Sequence, residues 1–132
     1  MRDKPCLIAT DIEKAMAACK TEAERNKWNV SIAIVDDGGF LLHFDRMDGA
    51  PPISAEVAIG KARTAALTKR PSKFFEDRVK ERPAFANFPA GILIQGGVPI
   101  LCRNECVGAI GVLGVQSHED EQVAQAGVAT VK

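Results

Sequence analysis

The order of apolar and polar residues divides the chain into stretches of two different periods. Ile12, Ala15, Met16, Cys19 and Ala23 recur at three- and four-residue steps, with Lys20, Glu24, Arg25 and Lys27 mostly on the opposite side, the stripe of an amphipathic helix. Thr10-Asp11-Ile12-Glu13 has the form of a capping box and predicts that this helix starts there. Val30-Ser31-Ile32-Ala33-Ile34-Val35 alternates large with small. It predicts a buried strand whose bulky face meets the main core and whose small face leaves room behind it. Asp36-Asp37-Gly38-Gly39 predicts a tight turn in which the aspartates cap the backbone. Phe40 to Asp45 is the partner strand, with Phe40, Leu42 and Phe44 on one face and Leu41, His43 and Asp45 on the other.

The pattern then breaks at Arg46 to Pro52, where glycine and two prolines impose a loop. Ser54 is the expected cap of an alanine-rich helix from Ala55 to about Lys69, interrupted only by Gly60, where another element comes closest. On this helix Lys61, Thr64 and Thr68 share a face and Arg63 points roughly opposite, so one cavity does not hold both Lys61 and Arg63. From Pro71 to Pro89 lie four of the six phenylalanines, Phe74, Phe75, Phe85 and Phe88, in an irregular segment with one short helix near its start. This segment either seals the core or presents an apolar surface to a ligand or partner. Gly91 to Ile94 is read as a strand entering a hairpin that runs from Gly96 to Gly114 through a polar turn at Arg103-Asn104-Glu105. Its return strand carries Gly108 and Gly114 on one face and Gly111 on the other. Either a helix packs tightly there, or a ligand or second subunit lies against the bare backbone. Ser117 starts a last helix with acidic residues in its first turn and Val123, Ala124, Gly127, Val128 and Val131 as its buried stripe. The sum is an α+β domain spanning residues 1–132, with a five-stranded, mostly antiparallel sheet flanked by helices.

Composition removes several function classes. Seventeen basic and seventeen acidic side chains cancel, leaving no global field for nucleic acid or an anionic membrane. No apolar run approaches the roughly 18 residues of a membrane span, and the amino end lacks a signal-peptide core, so the expected location is cytoplasmic. There the four cysteines, Cys6, Cys19, Cys102 and Cys106, stay as thiols. Cys102 and Cys106 face each other across the hairpin turn and are the pair considered for oxidation, while two cysteines at that spacing do not make a metal site.

Two functional readings arise from the residues. In the first, a binding site forms where the Gly96-Gly97 loop with Pro99, the Lys61 and Thr64 face and the phenylalanine segment with Phe85 and Phe88 enclose a small anionic, partly apolar ligand. In the second, a catabolic hydrolase, isomerase or deaminase holds an unsaturated carboxylate by Lys61 or Arg63, and Asp36, Asp37, Asp120 or Glu121 moves protons. No nucleophile triad or His-rich metal motif selects among those reactions.

Six stretches carry a family likeness: Val35-Asp36-Asp37-Gly38-Gly39, Met47-Asp48-Gly49-Ala50, Lys61-Ala62-Arg63-Thr64-Ala65, Gly96-Gly97-Val98-Pro99-Ile100, Val107-Gly108-Ala109-Ile110-Gly111-Val112 and Asp120-Glu121. In this order, over about Thr10 to Val128, the chain resembles the haem-degrading-domain or HbpS-like family, which includes the GlcG proteins and the carboxy-terminal part of PduO-type proteins. The resemblance implies a profilin-like sheet, close homo-oligomers and, in some members, binding of haem or a related tetrapyrrole. Members beside catabolic genes for glycolate or diols imply small organic acids as alternative ligands. The chain departs from the family at Leu113, where a serine is usual, and at the Arg103-Asn104-Glu105 tip, which replaces Asp-Gly. The family transfers no invariant haem ligand, so His43, Met47 and His118 are candidates for haem iron on their chemistry alone.

Overall fold

In the computed structural model, which describes residues 1–131, the elements run α1 (Ala9–Arg25), β1 (Ser31–Asp36), β2 (Leu41–Arg46), α2 (Ile53–Thr68), α3 (Ser72–Glu81), a 3-10 turn (Pro83–Asn87), β3 (Gly97–Cys102), β4 (Glu105–Leu113) and α4 (Ser117–Val128). The strands form one antiparallel sheet in the order β2-β1-β4-β3. The sheet therefore has four strands, not five. Residues 91–94 do not join it, because their backbone is spent on helices: Ile92 N–H donates to the Gly60 carbonyl, Thr64 Oγ1 donates to the Ile92 carbonyl at 2.9 Å, and Ser72 Oγ donates to that of Ile94.

The strand alternation builds two unlike faces. Ile32, Ile34, Val98, Ile100, Ile110 and Val112 project to one side and pack with Ala15, Met16 and Cys19 of α1 and Val123 and Ala124 of α4. The opposite side carries Ala33, Val35 and Ala109, covered by Ala58, Ala62, Ala65 and Ala66 of α2. Ala33, Gly111 and Gly97 are direct neighbours across β1, β4 and β3. This row of near-absent side chains lets α2 lie on the sheet backbone, which gives the glycines their reason. Of the two readings of Gly111, helix packing is the one found: a Cβ there would meet the backbone of Ala58 and Ala62. Ser31 and Ser54, both fully buried, join β1 to α2 by a 2.7 Å hydroxyl hydrogen bond.

Helix starts fall slightly earlier than the capping boxes predict. In α1 the backbone N–H of Ile8 donates to the Asp11 carboxylate, so Asp11 caps and Thr10 lies inside the first turn. In α4 Gln116 N–H donates to Glu119, which frees Asp120 to turn inward. At the β1–β2 turn Asp36 Oδ1 accepts from Gly38 and Phe40 N–H at 2.9 and 3.0 Å, the capping work expected of it. No helix of the described residues is long and apolar enough to cross a membrane.

Candidate functional site

Lys61 is the largest side chain with no exposed surface. It starts on α2, on the small-residue face of the sheet, and its Nζ reaches the Val112 carbonyl of β4 at 2.9 Å and Asp120 Oδ2 of α4 at 3.1 Å. Asp120 is equally buried, and its other oxygen accepts from Val115 N–H at 3.0 Å. Burial pushes the ammonium down from its usual pKa and the carboxyl up from its own, and each is partly restored by the partner's charge. Gly96 makes the passage possible: at φ +132° it has no Cβ, and one would stand 2.7 Å from Lys61 Nζ. Gly97 N–H donates to Ser72 Oγ at 2.8 Å, and a Cβ there would meet the Lys61 carbonyl.

The hollow expected between Lys61, Thr64 and the Gly96-Gly97 loop is thus filled by the lysine and its partners. Lys61 Nζ is enclosed and bonded to Val112 and Asp120, the Gly97 amide is already taken, and Pro99 is buried in β3 opposite Ala109. Thr64 fixes the Ile92 carbonyl from below. Nor do the proton-transfer candidates converge. Arg63 donates to the Gly39 carbonyl at 3.0 Å on the far side of α2. Asp36 caps its turn, Asp37 pairs with Lys4 at 2.7 Å, and Glu121 accepts from Gln95 Nε2 at 2.7 Å.

What lies above that filled interior is an apolar groove of about 400 Å³ between α3 and the 91–94 segment, walled by Val79, Ala86, Ile92, Leu93 and Ile94, with Glu76 and Lys80 at its margin. A second hollow of about 360 Å³, on the other side of the 3-10 turn, is lined by Arg82, Phe85, Phe88 and Pro89. The phenylalanines hold this region together. Phe75 is buried and stacks on Phe88 with ring centroids 5.2 Å apart, and Phe85 lies 5.8 Å from Phe88. Phe88 and Ile94 keep 41% and 42% of their surface exposed. The groove floor is rigid because the polar groups of 91–97 named above are bonded to α2, α3 or α4. Reading the chain alone missed Val79, Ile92, Leu93 and Ile94 as walls. The available signal was a run of three large aliphatics between glycines.

The three iron-ligand candidates lie elsewhere. His43 of β2 and Met16 line a hollow with Glu13 and Lys20, and the His43 Nδ1 is buried without a hydrogen-bond partner. Met47 lines an adjoining hollow with Lys20, Asp45 and Asp48. His118 is exposed in the first turn of α4. Among the described residues no three His, Cys, Asp or Glu side chains are grouped to hold a metal ion.

A family model described as haem degrading protein HbpS-like matches residues 7–129. The chain belongs to the HbpS-like family. Within the family's reach, it is 42% identical over 113 residues to protein GlcG of Escherichia coli K12, covering 85% of this chain and 84% of that one. A crystal structure of a double mutant of Streptomyces reticuli HbpS superposes with TM-score 0.92 at 33% identity, over 100% of this chain and 91% of the other. A PduOC complex with haem superposes with TM-score 0.89 at 23% identity, over 97% and 96%, and attests the shared fold. In this HbpS-like chain the stretches around Lys61, Gly96-Gly97 and Gly111, and Asp120, serve the interior, while Asp37, Gly38, Asp48 and Gly49 are exposed. Lys61, Gly96, Gly97 and Asp120 belong to one buried bridge between the two helical layers.

Proposed function

We propose that this HbpS-like chain is a binding protein for a tetrapyrrole of the haem class, held against the apolar groove between α3 and residues 91–94. The observation that carries this reading is the groove itself: large aliphatic side chains left partly exposed on a rigid backbone, with phenylalanines beside them. Val79, Ile92, Leu93 and Ile94 cover part of the macrocycle, and Lys80 and Arg82 at the margins pair with its propionates. A small organic acid fits less well, since the cation expected to anchor it, Lys61, is committed to Asp120. The groove suits the organic part of haem and not its iron. Neither hollow is lined by His, Cys or Met, and the chain has no Tyr. The ligand is therefore gripped by its faces and carboxylates. Haem iron, if bound, would supply redox and gas-binding chemistry, and the groove lining offers no His, Cys, Met or Tyr side chain that would hold it.

The same reading has the chain acting in the cytoplasm as a homo-oligomer accessory to a catabolic pathway. Exposed Phe40 just before the edge strand β2 and Leu41 and Leu42 on it, with Ile53 and Leu67 on α2, supply apolar surface for subunit contact.

Titration of the purified protein with haemin tests the proposal. A saturable Soret shift is expected, and Ile94→Glu, which places a charge on an already exposed groove wall, weakens affinity by about tenfold or more. Lys80→Glu weakens it less and mainly at low salt. No saturable shift, or a shift indifferent to Ile94→Glu, removes the groove as the site.

A further inference from the structure

The hairpin turn does not bring Cys102 and Cys106 together. Arg103 and Asn104 both take positive φ, 51° and 64°, as a two-residue turn requires, so Cys102 pairs with Glu105 and Leu101 with Cys106. Directly paired residues share a face, and consecutive ones do not. Cys106 accordingly lies under α2, its thiol directed at the Ala66 and Gly108 carbonyls at 3.7 and 3.4 Å. Cys102 is on the opposite face, packed at the edge of the core formed with α1 and α4.

Cys102 shares a hollow with another cysteine, supplied by the segment before α1. Cys6 and Cys102 line one small hollow of about 170 Å³, together with Pro5, Leu7, Asp11, Val107 and Val131. The segment is held across the end of the sheet by three contacts. Arg2 pairs with Glu105, Lys4 pairs with Asp37, and Leu7 packs over Gly108, where a Cβ would stand 2.8 Å from its Cδ1. Cys6 is exposed, Cys102 is half-buried, and neither is in a disulfide. The other two thiols are enclosed: Cys19 has no exposed surface, and Cys106 is buried.

We propose that Cys6 and Cys102 form an intramolecular oxidisable pair whose substrate is a small peroxide, and whose disulfide locks the amino-terminal segment onto β3. The exposed Cys6 thiolate attacks the peroxide oxygen; the O–O bond breaks, Cys6 becomes a sulfenic acid, and the leaving oxygen departs as water or an alcohol after taking up a proton. Cys102 then attacks the Cys6 sulfur, the S–O bond breaks, and a second water leaves. Two thiols have lost two electrons and two protons, and the peroxide has taken up both.

The test uses the full chain, reduced and then treated with hydrogen peroxide, with remaining thiols alkylated before digestion and mass spectrometry. The expected product is a Cys6–Cys102 cross-linked peptide lighter by two hydrogens, reversed by dithiothreitol, with Cys19 and Cys106 recovered as thiols. In Cys102→Ser the Cys6 sulfenic acid persists and is captured by dimedone, while Cys6→Ser leaves Cys102 reduced under the same treatment. The proposal is overturned if the intramolecular bond joins Cys102 to Cys106, if Cys6 is found only in disulfides between chains, or if dimedone captures Cys6 as fully in the wild type as in Cys102→Ser.

Discussion

Replacing Lys61 with methionine lowers the free energy of unfolding by about 3–5 kcal/mol, the largest effect expected of any single change in this chain. The methionine fills most of the volume of the lysine stem, so packing loss is small. What it leaves is a carboxylate with no exposed surface and no cation, and a Val112 carbonyl without its donor. Lys61→Met with Asp120→Asn recovers most of the loss, because the amide oxygen still accepts from Val115 N–H and no charge remains buried. The pH profile separates this from a generic packing defect. Burial raises Asp120 above the ordinary carboxylate pKa, and the Lys61 ammonium pulls it back. A carboxyl raised in the folded chain keeps its proton where the unfolded chain releases it. Its favourable contribution is present below the unfolded value and is lost as pH rises through the raised folded one. Removing Lys61 removes the downward pull, so as pH rises above the ordinary carboxylate range, about pH 4, Lys61→Met loses stability more steeply than the wild type. The double variant shows none of that added slope. Urea unfolding midpoints across this range make the measurement, and a Lys61→Met midpoint equal to the wild type's would contradict a closed, buried bridge.

Gly111→Ala is expected to cost about 3 kcal/mol or more, at the upper end for an added methyl group. The new Cβ lands inside contact distance of the Ala58 carbonyl oxygen, 2.5 Å from Ala62 N and 3.0 Å from Ala62 Cα. All three are helix backbone, which has no rotamer to give. The helix as a whole must lift, and Ala58, Ala62 and Ala65 lose their fit over Ala33 and Ala109 together. Because α2 also carries Lys61 and Thr64, the shift strains the bridge to Asp120 and the Ile92 carbonyl that backs the groove. Thermal melting of Gly111→Ala beside Ala109→Gly, which only removes a methyl group from the same face, checks the claim. Equal melting points would show that the helix does not rest on the sheet backbone.

The layered core was legible because period carries it. Ile32 and Ile34 against Ser31 and Ala33 state a sheet with a bulky and a bare face, and the stripe through Met16 and Cys19 states what covers the bulky one. The extra strand at 91–94 was not, since three aliphatic residues read as extended chain whether their backbone partners are strands or, as here, Thr64 and Ser72 side chains. The site was harder still. A lysine on an alanine-rich helix, a double glycine and an acidic helix start describe a ligand pocket and a buried ion pair equally well, and only the distance from Lys61 Nζ to Asp120 separates them. Equally, cross-turn cysteines look paired until the two-residue turn at Arg103 and Asn104 fixes which residue opposes which.

If the groove grips a macrocycle by its faces, as proposed, the metal at the centre contributes little to affinity. Fluorescence titration with metal-free protoporphyrin, set beside haemin, is the most direct measurement of that property. The expected result is saturable binding within about tenfold of haemin, mutual competition, and weakening of both by Ile94→Glu. Haemin binding that metal-free porphyrin neither matches nor displaces, and that His43→Ala abolishes while Ile94→Glu leaves it intact, would place the ligand on iron and away from the groove.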